Sequence, residues 1–91
     1  MAKFRKKPVV IEAVPVAHVL TAADRQWIGV PSWLRDAFEA GSLIVLQDHL
    51  RIRTLEGTMY GEKDDWIIRG VQGELYPCKP DIFAASYEPA E

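Results

Sequence analysis

The sequence predicts an α+β fold: a small, mostly antiparallel and strongly curved β-sheet of about five or six strands, up to a partial barrel, with one main α-helix. Three observations carry this. β-Branched and apolar runs recur at short intervals, turn dipeptides such as Glu56-Gly57 and Gln72-Gly73 separate them, and only one segment, after Ser32, has a clear helical period with a stop signal. The 91 residues are expected to form a single domain, 1–91, with residues 1–8 as a basic arm.

Val9 to Val16 reads as the first strand, because its β-branched residues lie between Pro8 and Pro15, which strand ends tolerate. Thr21 to Pro31 lacks a sustained period and reads as a loop. Ser32 is the expected N-cap of the helix, Trp33, Leu34, Ala37 and Phe38 form its apolar face, and Gly41 stops it. Leu43 to Leu46 is a continuous apolar run, which predicts a central strand buried on both faces. Leu50, Ile52 and Thr54 alternate with Arg51, Arg53 and Leu55, and Glu56-Gly57 turns this strand into Thr58-Met59-Tyr60. A polar turn, Glu62 to Asp65, leads to a strand from Trp66 to Val71. Gln72-Gly73 then returns the chain through Glu74 to Pro77. Lys79-Pro80-Asp81 opens a short helix through Ala85 with Asp81 as its cap, and Ser86 to Glu88 is expected to add an edge strand.

Composition narrows the function classes. With 26% charged residues and a formal net charge of -2, the chain has no global attraction for nucleic acid, which is not the expected partner. No apolar run approaches the ~20 residues of a membrane span. Pro8, Glu12 and Pro15 break the only stretch that imitates a secretory signal, so a cytoplasmic location is expected. The single cysteine, Cys78, excludes an internal disulfide and suits a reducing compartment.

No nucleophile–base pair, phosphate-loop glycine spacing or metal-ligand spacing is present, so the expectation is a non-enzymatic protein without metal or cofactor. His18 and His49 have no ligand-spaced companion and read as structural or solvent-facing. Cys78 reads as a small buried hydrophobe, although adjacent Lys79 is a group able to lower its pKa. The stronger signal is for binding an anionic, ring-bearing ligand. Arg51 and Arg53 share a strand face and Arg69 lies on another strand; guanidinium forks from adjacent strands suit a phosphate, or else form cross-strand pairs with Glu56 or Glu74. Trp33, Trp66 and Tyr76 offer stacking surfaces or core. The expected ligand-binding set is Arg53, Trp66, Arg69, Tyr76 and Lys79, facing one cavity.

Two blocks, Lys3 to Ala13 and Thr54 to Met59 continuing through Trp66 to Phe83, resemble a widespread family of small tailed-phage and prophage proteins. The words Trp66-Ile67-Ile68-Arg69-Gly70-Val71 and Tyr76-Pro77-Cys78-Lys79-Pro80-Asp81-Ile82-Phe83 carry most of the resemblance, while Asp64-Asp65 stands where that family has Gly-Asp. The resemblance implies a phage accessory protein acting inside a bacterial cell. Small phage proteins of similar size and habit include sponges for the nucleotide messengers of bacterial immune systems such as Thoeris and CBASS. A sponge for a small nucleotide-derived ligand, working as a homo-oligomer, is therefore the expected function. The alternatives are a protein-interaction module that inhibits a host or phage enzyme, and a messenger hydrolase.

Overall fold

A computed structural model describes residues 2–4 and 8–90. Most of the basic cluster, Arg5, Lys6 and Lys7, lies outside the described residues. The elements in chain order are β1 (Glu12–Pro15), α1 (Val16–Ala23), α2 (Ser32–Ala40), β2 (Leu43–Val45), β3 (His49–Thr54), β4 (Gly57–Glu62), β5 (Trp66–Arg69), β6 (Leu75–Cys78) and α3 (Pro80–Ser86). The α+β class and six antiparallel strands agree with expectation. The strands divide, however, into two three-stranded sheets, β1-β5-β6 and β2-β3-β4, and no closed barrel forms.

The division follows from what each strand buries. In β5 the consecutive residues Ile67 and Ile68 are both fully buried, so this middle strand is covered on both faces. Leu43 to Leu46 was expected in that role, but β2 is a three-residue edge strand with Leu43 buried and Ile44 exposed. Its apolar run marks one buried face plus an edge. Val14, Val16, Val19, Leu34, Leu43, Leu50, Ile52 and Ile67 form one core from both sheets and two helices. Each such side chain contributes roughly 1.5–3 kcal/mol by leaving water.

The first strand is shorter than its β-branched content suggests. Val16 leaves the sheet and starts α1, whose buried Val16, Val19 and Ala22 recur every third residue. One-sided burial here overrides the β preference of valine. Thr21 to Ala23, expected in the following loop, complete α1, and the loop runs from Asp24, with Gln26 and Trp27 both left-handed at φ 58° and 65°. That conformation costs roughly 1–2 kcal/mol per residue. It is held by the Trp27 N–H donating to the Ala22 carbonyl at 2.7 Å and by the indole ring packing on Phe38 at 5.3 Å.

Helix ends differ from expectation in detail. Pro31, not Ser32, occupies the cap position of α2, and no side chain caps it; Gly41 ends the helix in the left-handed region as expected. In α3 the cap position belongs to Lys79, with Pro80 opening the helix. Asp81 sits in the first turn, where its charge complements the helix dipole instead of capping a backbone N–H. Residues 87–90 form no strand.

The sheets adjoin where β6 lies against β3 and β4. Gly61 permits this approach, since a Cβ there would meet Val16 Cγ2 at 3.3 Å and Pro77 Cβ at 3.7 Å. Asp65 fastens the same corner. Its side chain is nearly inaccessible, and Oδ2 accepts from the Glu62 N–H at 2.8 Å and from Lys79 Nζ at 3.1 Å. Its main chain accepts from Val16 N–H at 2.9 Å and donates to the Glu62 carbonyl at 2.9 Å. Asp65→Ala should destabilise the protein by about 2–4 kcal/mol, because it strips a buried turn of its acceptor. Lys79→Ala, which removes the cationic donor to this buried carboxylate but leaves the Glu62 N–H in place, should cost less, about 1–2 kcal/mol. Urea denaturation of both variants checks the difference; equal losses would contradict it.

Candidate ligand groove

A groove of about 950 Å³ opens where α2, the β3–β4 hairpin and the β5–β6 hairpin come together. Its apolar lining comes from Trp33, Ala37, Leu55, Met59 and Leu75. Arg53 reaches it because Leu50 and Ile52 take the core-facing positions of β3, leaving Arg51 and Arg53 exposed on the alternate face. Arg51 is occupied elsewhere, with its guanidinium 5.8 Å from the centre of the Tyr60 ring opposite it. Arg53 has no ion-pair partner among the described residues.

Arg69 also lines the groove, from the other sheet. Arg53 and Arg69 are therefore not on adjacent strands as expected, yet the meeting of the sheets brings both to one concavity. The carboxylate that engages Arg69 is Glu12, at 3.5 Å, instead of Glu56 or Glu74. The other oxygen of Glu12 accepts from Trp33 Nε1–H at 3.1 Å. Glu12 thus ties α2 to β1 and β5 and sets the pose of the indole wall. Its one sequence signal was a lone acid within the apolar stretch Val9 to Val14.

Asp36, Glu56 and Glu74 also border the groove, so its charge is mixed. Glu74 folds back over Gly70 and accepts from the Gln72 N–H at 3.0 Å; a Cβ on Gly70 would collide with this carboxylate.

The remaining expected site residues do not converge there. Tyr76 borders the groove, but its hydroxyl lies 3.4 Å from the Tyr87 hydroxyl. Trp66 stacks on Phe83 with centroids 4.1 Å apart and planes at 10°, and Phe83 in turn packs on Tyr87 at 5.2 Å. Strand alternation explains the separation: Trp66, Ile68 and Tyr76 point to the face under α3, whereas Ile67, Arg69 and Leu75 point to the other. Phe83 and Tyr87, spaced four apart, were the legible sign of an aromatic partner for Trp66. Lys79 is bound to Asp65. A single cavity holding Trp66, Arg69, Tyr76 and Lys79 is thus replaced by a groove, an aromatic cluster and a turn clamp.

The histidines lie apart from all three. His49 Nδ1–H donates to Asp48 Oδ1 at 2.8 Å, which holds that carboxyl below its usual range, and His18 is exposed on α1. Cys78 is shifted in the direction opposite to that proposed for a neighbouring lysine. Burial pushes its thiol up, reinforced by Asp65 and Asp81. Alkylation of Cys78 at pH 8 should therefore be slower than that of free cysteine, measured by mass spectrometry after iodoacetamide treatment.

The phenol of Tyr76 is pushed up to about 12 by burial, then by the Tyr87 hydroxyl. The folded state holds this proton more tightly than the unfolded chain, so the associated stability is complete below pH 10 and is lost as pH rises through about 12. Absorbance titration at ~295 nm should show a tyrosine ionising about two units above the ordinary phenol, and Tyr87→Phe should lower that midpoint.

The chain matches no protein-family model, no curated protein and no solved structure. Among the described residues, no helix is long and apolar enough to cross a membrane.

Proposed function

We propose that the protein is a non-enzymatic binding protein of tailed phages or prophages, and that the groove between its sheets sequesters a small nucleotide-derived ligand such as a bacterial immune second messenger. The observation that carries this reading is Arg53, a guanidinium without an ion-pair partner among the described residues, on the wall of a groove whose other lining is largely apolar. A phosphate is the natural bidentate partner of such a group. Trp33, with its N–H already committed to Glu12, leaves its ring for contact with a base. Asp36, Glu56 and Glu74 can accept from sugar hydroxyls or exocyclic amines, and they disfavour a dense polyanion. A ligand with one anionic end and one flat end would suit this lining; the messenger reading is supported by the resemblance to small phage proteins and the analogy of size and habit to known sponges, and with it goes a location in the cytoplasm of the bacterial host.

Calorimetry against cyclic nucleotides and ADP-ribose derivatives tests the reading. At least one should bind, Arg53→Ala should weaken it about tenfold or more, and the melting temperature should stay near that of the parent. Absence of binding by the whole panel at millimolar concentration would remove the proposal. Recovery of unchanged ligand after heat denaturation separates a sponge from a hydrolase. One feature favours the interaction-module reading: Leu55 is fully exposed at the β3–β4 turn beside the groove. Binding of a host or phage enzyme with no retained small molecule would support that alternative.

A further inference from the structure

Independently of the groove, the outer edge of β1 is unpaired among the described residues. β1 is a terminal strand of its sheet, and no backbone hydrogen bond joins Val9 to Ile11, or the chain after α3, to it. Hydrogen-bond parity shows which groups this leaves open. Val16 N–H donates to the Asp65 carbonyl in continuation of the β1–β5 register, so Val14 and Glu12 direct their backbone groups to β5. Continued at the same parity, Ala13, Ile11 and Val9 direct theirs outward. Pro15 falls in the outward set and lacks an N–H, which ends the open edge; Pro8 bounds it on the other side.

Such an edge recognises an extended strand. We propose that its occupant is a second copy of this chain, paired antiparallel about a two-fold axis at Ile11. In this register Ile11 faces its own counterpart and Val9 faces Ala13 of the other copy. All three outward residues retain their N–H groups, so about six backbone hydrogen bonds form, with no proline among the donors. The side chains fit. Branched Val9 meets small Ala13, and Glu12 lies opposite Val10, so the two Glu12 carboxylates are not opposed. Val9 and Val10, now 51% and 75% exposed, become covered. Val9, Ile11 and Ala13 line an apolar pocket of about 310 Å³ with Trp66, Phe83 and the segment from Tyr87 to Ala90, which makes no backbone hydrogen bond to β1, and pairing extends that surface across the axis. The product is one continuous sheet, β6-β5-β1 of one copy joined to β1-β5-β6 of its partner.

Sedimentation of the full chain should show a concentration-dependent dimer, and the Ile11 and Ala13 amides, which have no partner among the described residues of one copy, should gain hydrogen-exchange protection as it forms. Ile11→Pro should weaken dimerisation about tenfold or more without lowering the melting temperature of the monomer. Because that variant depends on correct folding, Ile11→Cys in a Cys78→Ser background provides a second reading. It should form an intermolecular disulfide on mild oxidation, since paired Cα atoms in such a ladder lie about 5.5 Å apart. A chain that stays monomeric at millimolar concentration would overturn the proposal. So would a dimer with freely exchanging Ile11 and Ala13 amides, or an edge that takes up foreign extended peptides without self-association.

Discussion

The fold depends on Asp65 more than on any other polar residue. It sits in the turn where the chain returns from β4 of one sheet to β5 of the other, and its side chain and main chain together reach Glu62 at the end of β4, Val16 at the start of α1 and Lys79 before α3. A short polar turn would ordinarily be exposed and mobile. Here the Asp65 side chain is 4% exposed, and burying an unpaired charge to that extent would be costly. The two donors to Oδ2 remove that cost and make the corner a defined angle between the sheets.

That angle creates the groove. Arg53 belongs to one sheet and Arg69 to the other, so no local feature of either strand brings them together. Glu12 supplies the second fixed point, holding the indole of Trp33 and the guanidinium of Arg69 with one carboxylate. With Asp65 at the corner and Glu12 holding Trp33 and Arg69 of the lining, the groove has two fixed points, and Arg53 is its cation without an ion-pair partner among the described residues. The opposite face of the β1-β5-β6 sheet is closed in a different way, by stacked Trp66 and Phe83 and by the Tyr76–Tyr87 hydroxyl pair. Aromatic area does structural work there, so the Trp66 ring lies against Phe83 and not in the groove that Arg53 lines.

Local chemistry was enough to specify much of the molecule. The β3–β4 and β5–β6 hairpins, the Gly41 stop, the Pro80 helix start and the exposed positions of Arg51 and Arg53 all follow from short-range rules in the sequence. The readings that failed involve competition between local preference and burial. Val16 prefers a strand but completes the buried stripe of α1, and Leu43 to Leu46 looks like an interior strand but supplies one buried face at an edge. Side-chain alternation along β5 and β6 was also legible. Which face would meet a helix and which would meet the second sheet was not, because that is set by packing partners distant in the chain.

The sequence by itself determined the α+β class, the hairpin order, and which strand positions carry charged side chains. Only the tertiary structure decided that six strands separate into two sheets, that Arg69 pairs with Glu12, and that Trp66 and Lys79 belong to structural contacts while Arg53 faces a groove. The reason is physical. Turns and periodicity depend on neighbours a few residues away, whereas a cavity depends on the angle between sheets, and here that angle hangs on contacts such as Asp65 to Val16 that join residues 49 positions apart.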